Sequence, residues 1–168
     1  MEEAFVNKVA NSGIITLNLE DYFPHGERKL IDIKDTLFMG MVLREKDFRD
    51  WVKNHSWKDY SDCFVAIYCS TDAIVPTWAY MLIASKLSGI ARDVVFGDLL
   101  SLEAVLWEKA LGSIVPAHYE GERVVVKGCG QLPVSPAAYS LITQKLTPVV
   151  KSIMYGEPCS TVPIYKAK

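Results

Sequence analysis

A chain of 168 residues and 18.8 kDa has enough bulk for one domain with a real core. Half of the residues are hydrophobic and 23% are charged, an ordinary globular composition. The formal net charge of −2 argues against nucleic acid or a membrane surface as the main partner, since either favours a basic excess.

No stretch reaches the apolar length needed to cross a bilayer. The first residues, MEEAFVNKVANS, begin acidic and lack the basic and apolar zones of a signal peptide. The expected location is therefore the cytoplasm. There Cys63, Cys69, Cys129 and Cys159 should be reduced thiols, because disulfides do not persist in a reducing compartment.

The first 60 residues predict two strands, 13–23 and 28–38, joined as a hairpin by Pro24-His25-Gly26. A helix over 44–55 follows, with Phe48, Trp51 and Val52 inward and Arg44, Lys46 and Arg49 interleaved with acids on a solvated face. From Asp62 onward the pattern is regular. CFVAIYC (63–69) is a buried strand, and PTWAYMLIASKL (76–87) is a helix opened by Pro76 and broken by Gly89. DVVFGD (93–98) is a second strand, and LLSLEAVLWEKAL (99–111) is a helix stopped by Gly112. RVVVKGC (123–129) is a third strand, Ser135-Pro136 caps a helix to about Leu146, and 149–157 contains a fourth strand. Strands alternating with helices of this length predict an α/β fold. The expected architecture is three-layer, a mostly parallel sheet flanked by helices. It is Rossmann-like but carries no GxGxxG or P-loop after any strand. Residues 1–168 read as one domain, with the N-terminal hairpin and helix (1–60) packed on the βαβ core (61–168).

In an open parallel sheet the carboxyl ends of the strands share one edge, and ligands bind outside it. Cys69, Cys129 and Cys159 all fall at or just past such ends, so the topology predicts that they approach one another. Converging thiols suit zinc, Cu(I) or an iron–sulfur cluster. Asp72 is placed to be a fourth ligand or a carboxylate that orients one. Asp98, ending the second strand, is a helix cap, a ligand or a base. Gly128 and Gly130 let backbone come close to a metal or ligand beside Cys129, and helix N-termini after Cys69 and Cys129 would favour thiolates. Gly156 and Pro158 turn the chain at Cys159, and Val162–Tyr165 would fold the tail over the same edge. Against the set, cysteine is among the most buried residue types, and no CxxC is present. Cys63, at the opposite end of its strand, reads as structural. His25 stands in a turn and could reach the site if the N-terminal hairpin covers it, though an exposed turn residue is the plainer reading; His55 and His118 stand at helix and loop ends with no partner visible in the sequence.

The strings LNLEDYFPHGERKLIDIKDTLF, EKDFRDWVKNH, CSTDAIVPTWAYMLIASKL, VVFGDL, KGC and IMYGEPCSTVPIYKAK resemble an uncharacterised bacterial family, domain of unknown function 2480. The resemblance covers nearly the whole chain. Its motif cysteines fall on Cys69, Cys129 and Cys159, and its motif aspartate on Asp72. The resemblance implies a gene encoded near Suf-type iron–sulfur assembly genes, and with that neighbourhood a role in cluster assembly, transfer or sulfur handling. Iron–sulfur assembly proteins are then the expected partners, and an unassigned N-terminal sheet edge allows a homo-oligomer.

Three chemistries follow from this reading. The first is a metal- or cluster-binding accessory protein holding zinc, iron or an iron–sulfur cluster through the three cysteines and Asp72. The second is a zinc metalloenzyme with an open coordination position, in which Asp72 or Asp98 is the general base. The third is a metal-free thiol protein in which Cys69 or Cys159 carries sulfur as a persulfide or exchanges disulfides.

Overall fold

The computed structural model describes residues 13–128, 130–157 and 159–168. The fold is α/β, with four α-helices and mostly parallel sheets among the described residues. It divides into two compact units. His25–Val105 form one, here the inserted unit. The described residues up to Pro24 together with Leu106–Lys168 form the other, the split unit.

The inserted unit carries β2 (Arg28–Asp32), α1 (Glu45–Asn54), β3 (Phe64–Tyr68), α2 (Thr77–Leu87) and β4 (Asp93–Phe96). Its sheet is parallel in the order β2-β3-β4. The central strand β3 is buried almost throughout, as a strand with neighbours on both sides must be. Val65 and Ile67 join Ile31 of β2, Phe48 and Val52 of α1, and Ala79, Ile83 and Leu87 of α2 in one core. Both helices therefore lie on the same face. Successive right-handed crossovers advancing in one direction along a sheet produce that arrangement.

The split unit carries β1 (Ile14–Asn18), the latter part of α3 (Leu99–Leu111), β5 (Arg123–Lys127), α4 (Pro136–Leu146), β6 (Ser152–Glu157) and β7 (Ser160–Lys166). The sheet order is β1-β5-β6-β7, with β7 antiparallel to β6. Its core gathers Leu17, Val124, Val126 and Ile153 under Trp107, Leu111, Ala138, Ile142 and Leu146.

Two expectations change here. The N-terminal strands β1 and β2 do not pair as a hairpin: β1 pairs with β5 and β2 with β3, each in parallel. Each five-residue strand finds a partner with both faces buried, which a two-stranded ribbon could not supply. Pro24-His25 is then the boundary between units. The tail also differs from the fold-over expected of Val162–Tyr165. It forms β7 along the whole of β6, with Glu157 opposite Ser160 and Ser152 opposite Lys166. Pro163 is tolerated because β7 is the edge strand, next to a register shift.

The two units are copies of one plan. Each runs strand, 3-10 turn, α-helix, 3-10 turn, strand, α-helix, strand. From Phe48 onward, residues 59 positions apart are equivalent. Thr77–Leu87 and Pro136–Leu146 are the matching helices, and their buried residues Ala79, Ile83, Leu87 and Ala138, Ile142, Leu146 coincide in that register. Phe64 pairs with Asp93 as Arg123 pairs with Ser152. The backbone of Asp62 donates to Ile90 O as Gly121 does to Val149 O, and both residues have left-handed φ, 58° and 71°. Tyr80 meets Phe96 edge-on as Tyr139 meets Tyr155. The first strands match at an offset of 14. Asn18 and Asp32 both end their strand and accept from a backbone N–H two residues on. The conserved wording is short: AYMLIASKL against AYSLITQKL, VVFGD against IMYGE.

Gly97 and Gly156 are equivalent, at φ 135° and 117°, and an added Cβ would meet Ser101 Cβ at 2.5 Å and Ser160 O at 2.6 Å. Gly97→Ala and Gly156→Ala should each lower stability by about 1–3 kcal/mol. Gly121→Asn should cost less than about 1 kcal/mol, because Asp62 occupies the same conformation in the other copy and nothing stands within 4 Å. Urea denaturation of the three variants checks both statements. His55 gives a second prediction. Its ring lies 4.5 Å from Trp51 and 4.6 Å from Trp57, and its Nε2 is 3.0 Å from Tyr60 Oη. Burial holds its pKa below the ordinary 6.5, with Asp59 partly opposing. Above 6.5 the ring is neutral folded and unfolded; below it the unfolded chain takes up the proton first. The histidine's contribution should therefore fall as pH drops from about 7 to about 5. Denaturation across that range should show a flatter profile for His55→Gln.

Candidate functional site

In the inserted unit the carboxyl ends of β2, β3 and β4 bring together Asp32, Cys69 with Ser70, and Phe96. Asp32 Oδ1 accepts from the backbone N–H groups of Ser70 and Lys34, both at 3.1 Å. Burial alone would raise its pKa. The hydrogen bonds from Ser70 and Lys34 outweigh burial and hold the carboxyl below the usual range. This aspartate thus ties the end of β3 to the end of β2 as a fixed anion. Cys69 is half-buried, and its Sγ donates to Thr71 O at 3.5 Å. On the first turns of α2, Tyr80 has its hydroxyl pKa raised by burial, then by the charges of Cys69 and Asp32. Asp32, Cys69 and Tyr80 are therefore electrostatic neighbours, with Phe96 edge-on to Tyr80 at 4.9 Å between centroids.

In the split unit the corresponding edge is differently furnished. Lys127 Nζ lies 3.4 Å from both carboxylate oxygens of Glu157, bridging the ends of β5 and β6. Glu20 Oε1 accepts from the Gly130 backbone N–H. An added Cβ at Gly128 would sit 2.6 Å from Tyr139 Oη, and one at Gly130 would run into the Glu20 carboxylate. The two glycines around position 129 thus have Tyr139 and Glu20, side chains of the protein itself, close against them, where the sequence suggested a metal or ligand. Cys159 stands exposed in the turn joining β6 to β7.

The residues singled out from the sequence distribute as follows. Cys69 belongs to the inserted unit and Cys159 to the split unit. Cys129 and Pro158 lie outside the described residues. The single sheet edge that united the three cysteines is replaced by two, since β3 is in one sheet and β5 and β6 in the other. Strand pairing, which is non-local, decided this. Among the described residues no group of three or more His, Cys, Asp or Glu side chains could hold a metal ion. Asp72 is exposed. Asp98 is a cap: its Oδ1 accepts from Ser101 N and Ser101 Oγ, each at 2.8 Å, and these bonds hold its carboxyl below the usual range. An anion so engaged is poorly suited to general-base work near neutrality. No helix N-terminus adjoins Cys69, because α2 begins only at Thr77. Cys63 is in the core, its thiol pKa raised by burial and by Glu27. Neither sheet contains a reversal of strand order among its parallel strands, so neither has the switch-point crevice of a Rossmann fold.

Asp32 and Tyr80 were not singled out by sequence. The signal available was the repeat: Asn18 and Asp32 end matched strands, and Tyr80 and Tyr139 share the Ala-Tyr of matched helices.

No helix among the described residues is long and apolar enough to cross a membrane. No curated protein and no solved structure matches the chain. One family model does, described as protein of unknown function (DUF2480), and it spans residues 3–167. With almost every residue inside that match, the chain belongs to the DUF2480 family.

Proposed function

We propose that the protein handles a soft metal ion or an iron–sulfur cluster through strand-end cysteines, Cys129 and Cys159 at one sheet edge and Cys69 at the other. The observation that carries this reading is the contrast among the thiols. Cys63 is sealed in the core with a raised pKa, whereas Cys69 is half-exposed and Cys159 exposed, both just past strand ends. Cys129 follows β5 by two positions as Cys159 follows β6, and these strands are parallel neighbours. Thiolates select zinc, Cu(I) and iron–sulfur clusters over harder ions. The three-thiol set expected from the sequence adds Cys69 as a donor, with Asp72 three residues on; a two-thiol site would leave Cys69 to act alone. Zinc in a site with an open position is the enzymatic variant of the same proposal. Asp98 is a poorer base for that variant than Asp72, being already engaged as a cap. Association with iron–sulfur assembly proteins in the cytoplasm belongs to the cluster variant.

Protein purified without oxygen should contain zinc, or iron with acid-labile sulfide, in fixed proportion to chain. Cys129→Ser and Cys159→Ser should each lower the bound metal by about tenfold or more, while Cys63→Ala should leave it in place. Cys69→Ser separates the three-thiol from the two-thiol arrangement. Metal content unchanged in both Cys129→Ser and Cys159→Ser would overturn the proposal, as would absence of metal after reconstitution. The latter outcome favours metal-free thiol chemistry at Cys69 or Cys159, read by persulfide detection.

A further inference from the structure

Each unit has a groove between its two helices, and the two grooves are built from equivalent positions. In the split unit it is lined by Glu108, Leu111, Gly112, Leu141 and Lys145. In the inserted unit the same positions are Arg49, Val52, Lys53, Leu82 and Lys86, with Trp57 added. One copy is thus an internal control for the other.

In the split unit Lys145 closes the end of α3. Its Nζ donates to Leu111 O at 2.7 Å and to Gly112 O at 3.2 Å, satisfying carbonyls that a helix terminus leaves open. In the inserted unit the equivalent of Leu111 O is Val52 O, and it accepts from Trp57 Nε1 at 2.8 Å. The indole has taken over the lysine's task. Lys86 is released from it, and among the described residues neither Lys86 nor Lys53 has an ion pair or side-chain hydrogen bond. Where the split unit has Glu108 the inserted unit has Arg49, held by Glu45 at 2.8 Å and lying 5.4 Å from the Trp78 ring. The lining thus changes from one acid and one lysine to three cations and no acid. Offsetting two helix dipoles accounts for one lysine at each helix end. It does not account for the acid-to-arginine exchange on the same wall, nor for the indole that frees Lys86.

We propose that the α1–α2 groove of the inserted unit binds a small phosphate-bearing anion. Its volume is about 260 Å³, enough for a pyrophosphate or the phosphate end of a nucleotide. Buried Val52 and the flanks of Leu82 and Trp57 form an apolar floor, which strengthens the field of the ammonium groups above it. Lys53 and Lys86 supply mobile charges, and Arg49, paired with Glu45 through Nε, lines the same groove with a guanidinium of the kind phosphate oxygens accept.

Calorimetric titration of the full chain with inorganic pyrophosphate and with ATP tests this, with sodium chloride added to equal ionic strength as the blank. Saturable binding is expected, and Trp57 at the groove wall should change the tryptophan fluorescence. Lys53→Gln and Lys86→Gln should each weaken pyrophosphate binding about fivefold or more, since each removes one direct charge. Lys145→Gln, the equivalent change in the other copy, should leave affinity within twofold. Pyrophosphate binding with no ATP binding would restrict the ligand to small phosphates; tighter ATP binding would extend it to nucleotides. No saturation by either probe, unchanged affinity in both lysine variants, or an equal loss in Lys145→Gln would each overturn the proposal. Circular dichroism of the variants separates lost binding from lost fold.

Discussion

The fold depends on two central strands. β3 and β5 are five residues each, and Val65, Ala66, Val124 and Val125 are wholly shielded from solvent. A parallel strand buried on both faces must have all its backbone groups paired on both sides and apolar cover above and below. That requirement recruits β2 and β4 around one strand, β1 and β6 around the other, and places helices over each core. It also accounts for the chain order. β1 is separated from the rest of its unit by the whole of His25–Val105, yet it pairs with β5 over its full five residues because β5 needs a second neighbour.

Local elements were legible because their signals are local. Pro76 before α2, Ser135-Pro136 before α4, and the apolar runs of β3 and β5 bracket their elements to within a residue or two. Which sheet a strand joins was not legible, since hydrogen-bond partners 100 residues apart leave no trace in either segment alone. The hairpin expected from strands over 13–23 and 28–38 becomes two five-residue strands, each followed by a 3-10 turn and paired with a different neighbour. The tail expected to fold over the strand ends is instead β7, and Pro163 is compatible with it only because β7 is an edge strand.

The candidate site was legible to a similar depth. Cys63 as a core residue and Asp98 as a cap follow from position along a strand and before a helix, and the structure agrees with both. The convergence of three cysteines was an inference from a single sheet, and two sheets remove its premise. Asp32 was invisible because its role is to hold Ser70, a contact between chain segments 38 residues apart. The duplication was in principle readable. It was hidden because the matched residues are scattered: the packing positions persist while the strand-end residues have changed, so Cys69 stands opposite Gly128 and Ser70 opposite Cys129.

That pattern of change locates where the two copies have separate work. On the second helices the core positions keep both size and chemistry, as Ala79 and Ala138, Ile83 and Ile142, Leu87 and Leu146 do, whereas on the first helices Phe48 and Trp107, Val52 and Leu111 keep only apolar character. Positions that set the backbone keep their conformation, as Gly97 and Gly156 do. Freed from both constraints are the strand ends and the outer walls of the helix grooves. There Asp32 corresponds to Asn18, Arg49 to Glu108, and Trp57 to Pro116. Loss of a shared function in one copy would leave neutral, solvated replacements at such places. A gain of two cations and the loss of one acid around apolar side chains in one copy is a directed difference. Arg49 is paired with Glu45, whereas Lys53 and Lys86 have no ion pair among the described residues, and like charges held together cost stability unless an anion offsets them.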